Sequence, residues 1–120
     1  MGAGWLATGA CGCALAVAAG AFGAHGLAAR LSPRSLELWE TAARYLMYGG
    51  LGVVLVGLAA RQHAAPWAWA GWSLTVGTAL FSGTVAALAL GGPRWLGAVT
   101  PVGGTLMILG FSLFAWAALR

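Results

Sequence analysis

The sequence predicts an all-α membrane protein, a four-transmembrane-helix bundle with a short interfacial helical segment between the first two spans. Three observations carry that expectation. Of 120 residues, 61% are hydrophobic and only 7% charged, against about 25% charged in a soluble domain, and the mean hydropathy is +0.87. Four apolar runs, at about residues 3–27, 42–60, 67–90 and 101–119, each approach or exceed the roughly 20 residues that cross a hydrocarbon core. Six of the 7 tryptophans (Trp5, Trp39, Trp67, Trp69, Trp95 and Trp116) stand near the ends of those runs and only Trp72 lies deeper, as an aromatic belt at two interfaces requires. Residues 1–120 therefore read as a single transmembrane domain.

The first run carries no charge before Arg30. It lacks the basic start of a cleavable signal peptide and outlasts the 7–15-residue core of one, so it reads as the first span. Gly12, Ala16, Gly20 and Ala24 recur every four residues along it, and such a row of small side chains lets a neighbouring helix approach closely. Gly23 joins that set. Cys11 and Cys13 are two positions apart and point to nearly opposite sides of a helix, which makes them small apolar fillers rather than a disulfide or a ligand pair.

Ser32-Pro33 reads as an N-cap followed by a first helical residue. Leu36, Trp39, Ala43 and Leu46 then share one face, while Glu37, Thr41, Arg44 and Tyr48 share another, the pattern of a helix that starts at the membrane surface. Glu40 precedes Arg44 by four residues, the favourable orientation for an ion pair that would ease Arg44 toward the bilayer. After the second span, residues 61–66 form a short polar turn in which His63 is a solvated loop residue, so spans two and three are antiparallel neighbours. The third run is uncharged, and Thr75, Thr78 and Ser82 share one of its faces. Such a row can line a polar cavity, although hydroxyls on helices more commonly bond back to the carbonyl one turn earlier. Gly91, Gly92 and Pro93 end the third helix, and Thr100-Pro101 restarts the fourth by the logic of Ser32-Pro33. Gly103 and Gly104 then fall in its first turn, where they favour close packing or the approach of a ligand to free amides.

Four spans place both termini on one side. Arg30, Arg34, Arg44 and Arg94 lie toward loops one and three, against Arg61 and Arg120 on the other side, so the positive-inside rule makes loops one and three cytoplasmic. The formal charge of +4 is scattered, without the clustered basic face that nucleic acid demands, and nucleic acid is not an expected partner. The partners to expect are the lipid bilayer and either a second copy or another membrane protein.

The sharpest candidate site gathers His25, near the end of the first span, with Glu37, Glu40, Thr41 and Arg44, and with Tyr45 and Tyr48 behind them. If loop one folds back, an imidazole, two carboxylates and a guanidinium meet at one interface, a group able to move protons or hold a polar head group. The plain alternative is a histidine near a helix end that bonds a carbonyl or interfacial water. There is no Asp, no Lys, no nucleophile elbow and no phosphate loop, so no catalysis, cofactor or metal is expected.

Four motifs occur in order: GAFGAHGL at 20–27, W-x-T-x-x-x-Y-x-M-Y at 39–48, LFSG at 80–83 and TPVGG at 100–104. In this combination the chain resembles the domain-of-unknown-function family 423, the YgdD/YwdK-like small membrane proteins. The resemblance covers nearly the whole chain. It implies a four-helix, multi-pass protein of the bacterial inner (cytoplasmic) membrane with no established activity. Where the family pattern continues His-Met-Tyr-His-Ala-Leu, this chain reads Leu46, Met47, Tyr48, Gly49, Gly50, Leu51, so no multi-histidine site carries over. His25, Trp39, Thr41, Tyr45, Tyr48, Ser82, Thr100 and Pro101 are the positions left to bear any shared function. The expected function is that of a non-catalytic packing, scaffold or accessory membrane subunit. The alternative is a transporter or channel protomer, or a binder of a small lipophilic ligand, built on the His25 region and the Thr75/Thr78/Ser82 face.

Overall fold

The computed structural model describes residues 2–120. Helix α1 (Ala3–Phe22) runs into a π-helical turn (Gly23–Leu27), and α2 (Pro33–Gln62), α3 (Trp67–Ala89) and α4 (Leu96–Ala118) follow. All four are long and apolar enough to cross a membrane, and the four-transmembrane-helix fold is as the composition predicts.

Each helix packs on its neighbours in sequence, α1 on α2, α2 on α3 and α3 on α4, with a small α2–α4 contact and no packed α1–α4 seam among the described residues. The bundle is open, measuring 48 × 27 × 17 Å. Its two outer helices keep one broad face each toward lipid. The tightest core lies where Val53 and Val56 of α2, Trp67, Ala70 and Leu74 of α3 and Ala117 of α4 meet.

The helix starts differ from expectation in two places. Residues 33–41 are not a separate interfacial segment. They are the first turns of α2, a continuous helix of 30 residues, about 45 Å long against a hydrocarbon core of about 30 Å. Ser32 does cap it, its Oγ accepting from Ser35 N at 3.1 Å with Pro33 at N1. By contrast, Thr100-Pro101 does not start α4. The helix begins at Leu96, and Pro101 sits inside it. The first turn is held by 3₁₀-type bonds from Leu96, Gly97 and Ala98 to Pro93, Arg94 and Trp95. Thr100 returns its hydroxyl to the Leu96 carbonyl at 3.1 Å, one of the ways a membrane helix accommodates a proline.

The seams are built on small residues, but with a period of seven rather than four. Gly2, Gly9, Ala16 and Gly23 are buried along α1, and Ala43, Gly50 and Gly57 are buried along the face of α2 that meets them. Ala42, Gly49 and Val56 line the face of α2 toward α3, and Ala70, Gly77 and Thr84 of α3 oppose Gly103, Gly110 and Ala117 of α4. A seven-residue step drifts only about 20° around a helix, whereas a four-residue step drifts about 40° and leaves the seam within two turns. The expected row of Gly12, Ala16, Gly20 and Ala24 therefore breaks up. Ala16 is buried, a Cβ on Gly12 would lie at an ordinary contact distance of 3.5 Å from Gly50 Cα, one on Gly20 would meet nothing within 4 Å, and Ala24 is exposed.

At α3–α4, a Cβ on Gly77 would lie 2.7 Å from Met107 N and one on Gly103 would strike Phe81 N. A Cβ on Gly104 would lie 3.5 Å from the Phe81 ring. Both glycines lie beyond the first turn of α4, so their use is packing and no free amide is offered to a ligand. Gly91 (φ 92°) ends α3 in the left-handed conformation, and Gly92 N returns to the Ala87 carbonyl at 2.7 Å.

Candidate functional site

Because α1 and α3 both lean on α2 and meet each other chiefly through Trp5, a groove runs between them. Its floor is the side-chain-poor stretch of α2 around Leu46, Gly49 and Gly50. Two adjoining cavities of about 220 and 380 Å³ occupy it and share Leu15, Leu46, Thr78 and Ala79. At one end of the groove Trp5 of α1 meets Trp72 of α3 edge-on, with ring centroids 5.3 Å apart, over Gly71. Trp39 stands at the other end.

The hydroxyl row lines this groove. Thr78 and Ser82 are 4% and 6% exposed, Thr75 is half-buried, and the side-chain oxygens of all three have no hydrogen-bond partner. The bond back to the preceding turn, the commoner use, is not made here. It is made elsewhere, by Thr84 to Leu80 O at 2.7 Å, Thr105 to Pro101 O at 2.8 Å and Ser112 to Ile108 O at 2.8 Å. At Thr78 the hydroxyl is seated against α2 instead, in the space that a side chain on Gly49 would fill. An unmade hydrogen bond at a buried hydroxyl costs about 1–3 kcal/mol, so three in one row are a concentrated exception.

Of the polar residues at the loop-one end, Glu37, Glu40, Thr41 and Arg44 line one hollow on α2 together with Arg34, and His25 does not join them. His25 lies on the π-helical turn, two residues from buried Gly23 and from buried Leu27, and is therefore turned outward and exposed. Among the described residues it makes no hydrogen bond or ion pair to Glu37, Glu40 or Arg44. The physical reason is that the residues from Pro33 onward belong to one continuous helix. Glu37, Thr41 and Arg44 climb one helical face instead of folding back over α1. Glu40 and Arg44 are not paired either; the ion pair present joins Arg34 to Glu37 at 3.9 Å, with both side chains mostly exposed. Tyr45 packs on Phe81 of α3 (centroids 4.7 Å) and on Tyr48 (5.1 Å). No three His, Cys, Asp or Glu side chains among the described residues come together as metal ligands would.

Two polar contacts escaped the sequence. The Trp39 indole Nε1 donates to the Ala19 carbonyl at 2.7 Å, and its ring fills the space beside Gly23. That carbonyl also receives Gly23 N, and the helix widens into its π turn directly after it, as helices do where a side chain enters the ladder. Thr84 of α3 and Thr100 of α4 share a hydrogen bond of 2.7 Å across the seam. Their signals were present as Gly23 and Trp39 in two of the ordered motifs and Thr100 in a third, but pairing across helices cannot be read from one chain.

Residues 19–104 match the family described as "Protein of unknown function (DUF423)". The chain is 43% identical over 116 residues to the UPF0382 membrane protein SERP0230 of Staphylococcus epidermidis, covering 97% of this chain and 95% of the relative. It is 45% identical over 97 residues to the UPF0382 membrane protein SH2409 of Staphylococcus haemolyticus (81% and 80% covered). With the UPF0382 membrane protein SAB0533 of Staphylococcus aureus it shares 37% over 116 residues (97% and 95%). No solved structure matches.

Proposed function

The chain belongs to the DUF423 family of proteins of unknown function, and from that premise we propose that this multi-pass membrane protein acts without catalysis as a small accessory subunit, packing through α1. One observation carries the reading. The outward face of α1 consists mostly of the small residues Gly4, Ala7, Cys11, Ala14, Ala18 and Ala21, with Leu15, Val17 and Phe22 as its exposed large side chains, whereas α4 exposes the larger set Val102, Ile108, Leu109, Phe111 and Trp116. Lipid tails attract small and large apolar side chains alike, so a face of small residues favours close approach of another helix. The setting is the cytoplasmic membrane of a bacterium, with loops one and three inside; the excess of arginine on that side and the bacterial relatives support it. The test is a photo-activatable diazirine amino acid at Ala14, irradiated in native membranes, with the same group at Ile108 as control. Protein adducts at position 14, to a second copy or another membrane protein, and lipid adducts alone at 108 are expected. Lipid adducts alone at both positions refute the reading.

A second reading, a binder of a small lipophilic molecule in the α1–α3 groove, is favoured by the unpartnered hydroxyls. Their oxygens are buried and unpartnered, and a χ1 rotation of about 120° would bring one onto a guest that carries an acceptor. A molecule that copurifies with the wild type and is lost from a Thr78→Val, Ser82→Ala variant would place this reading first. Protein that is guest-free in both forms removes it.

A further inference from the structure

On the side of the α1–α2 seam away from the groove lies a shallow hollow of about 330 Å³, floored by Ala16, Gly20, Ala43 and Met47 and edged by Glu40, Arg44 and Tyr48. Gly20 leaves it open, since a Cβ there would meet nothing within 4 Å. Glu40 and Arg44 are both exposed, stand one turn apart in the orientation that favours an ion pair, and yet are not paired with each other; the ion pair on this stretch of α2 is Arg34–Glu37. The hollow thus carries an unpartnered anion and an unpartnered cation above an apolar floor.

We propose that this hollow is a binding site for a phospholipid with a primary-amine head group of the phosphoethanolamine type. The order of charges selects it. Because α2 runs inward from loop one, Glu40 lies outermost, Arg44 about 6 Å deeper, and the apolar floor beside Met47 and Tyr48 deeper again. A phosphoethanolamine lipid presents its groups in that order from water inward: ammonium, phosphate, acyl chains. Arg44 accordingly takes the phosphate, the guanidinium fork matching its oxygens, and Glu40 accepts hydrogen bonds from the ammonium. One acyl chain lies along Ala16, Gly20 and Ala43. A simple anionic head group leaves Glu40 facing a like charge, and a phosphocholine head group brings a quaternary nitrogen with no N–H to donate. The site stands whichever leaflet faces loop one, and it is independent of the partner assigned to α1.

The experiment is native mass spectrometry of the protein released from nanodiscs holding equal amounts of phosphatidylethanolamine, phosphatidylglycerol and phosphatidylcholine. Hydrogen bonds to a charged group give about ten-fold retention of the ethanolamine lipid over the choline lipid. Glu40→Gln is expected to bring that ratio toward one while lipid is still retained. Arg44→Gln lowers retention of all three, and Arg34→Gln, at the guanidinium already held by Glu37, changes neither quantity. Gly20→Leu, which fills the floor without touching a charge, also lowers retention. Equal retention of the ethanolamine and choline lipids by the wild type, an undiminished preference in Glu40→Gln, or a wild-type preference for phosphatidylglycerol would each overturn the assignment.

Discussion

Replacing Gly9 by alanine tests the seven-residue seam directly. The added Cβ would lie 2.5 Å from Val54 N and 2.6 Å from Gly50 O, both backbone atoms, well inside the 3.4 Å at which ordinary contact begins. Neither atom can rotate away, so α1 and α2 must part by about 1 Å, and a gap of that size forfeits a quarter to a half of each dispersion contact along the seam. Overpacking of this kind costs about 1–3 kcal/mol. Gly20→Ala makes the same chemical change one helix stretch away, where the Cβ meets nothing within 4 Å. It should be neutral or gain up to about 1 kcal/mol from reduced backbone freedom in the unfolded chain. Unfolding in mixed micelles, titrated with dodecyl sulfate and followed by circular dichroism, should show an earlier midpoint for Gly9→Ala and an unchanged or later one for Gly20→Ala. The reverse ranking would restore the four-residue row through Gly12, Ala16, Gly20 and Ala24 and refute the seam described above.

Thr84→Val removes the hydroxyl bridge to Thr100 and should cost about 0.6–1.7 kcal/mol; a double-mutant cycle with Thr100→Val that shows no coupling would contradict the bridge. Thr78→Val keeps the shape of a side chain whose hydroxyl is unpartnered, so the same unfolding assay should show no loss, and a gain of up to about 1–3 kcal/mol. A loss there would mean that the hydroxyl has a partner. Trp39→Phe retains a ring against Phe22, now 6.4 Å between centroids, but loses the donor to Ala19. It should cost about 1 kcal/mol and speed amide hydrogen exchange across residues 23–27 in particular. His25→Ala, at an exposed position on the π turn, should stay within about 0.5 kcal/mol of wild type; a larger loss would give the imidazole a buried role that the fold does not.

How much of this was legible in the sequence follows from the kind of signal each feature leaves. Crossing helices announce themselves by length and apolarity, and Ser32 announces its cap because the capping bond is local. The start of α4 is hidden because Thr100-Pro101 imitates a cap while five further residues, Leu96 to Thr100, are held by bonds that no local pattern marks. The seam register is ambiguous in the sequence because Gly and Ala are so frequent that periods of four and of seven both occur along α1. Only the neighbouring helix decides between them, and Gly50 and Val54 choose Gly9. The loop-one cluster lacks its histidine for a different reason. Proximity along the chain suggests proximity in space, but Glu37, Glu40, Thr41 and Arg44 share a hollow on the continuous α2 while the π turn points His25 outward.

In a membrane the inner faces of helices are held by close packing rather than by apolar burial, so a residue on a seam reports packing and little else. The places that matter are those where the packing rule lapses. α1 carries small residues on its inner face, where Gly9 and Ala16 meet α2, and again on its outer face, where nothing in the chain uses them. α3 bonds Thr84 back to its own helix but leaves Thr78 and Ser82 unbonded two turns and less away. α2 pairs Arg34 with Glu37 yet leaves Glu40 and Arg44 apart above an apolar hollow. Each is a local departure from what its own helix does elsewhere, made by the same residue types under the same constraints. A partner helix, a guest in the groove and an amine-bearing lipid are the three occupants that would turn those departures into ordinary contacts.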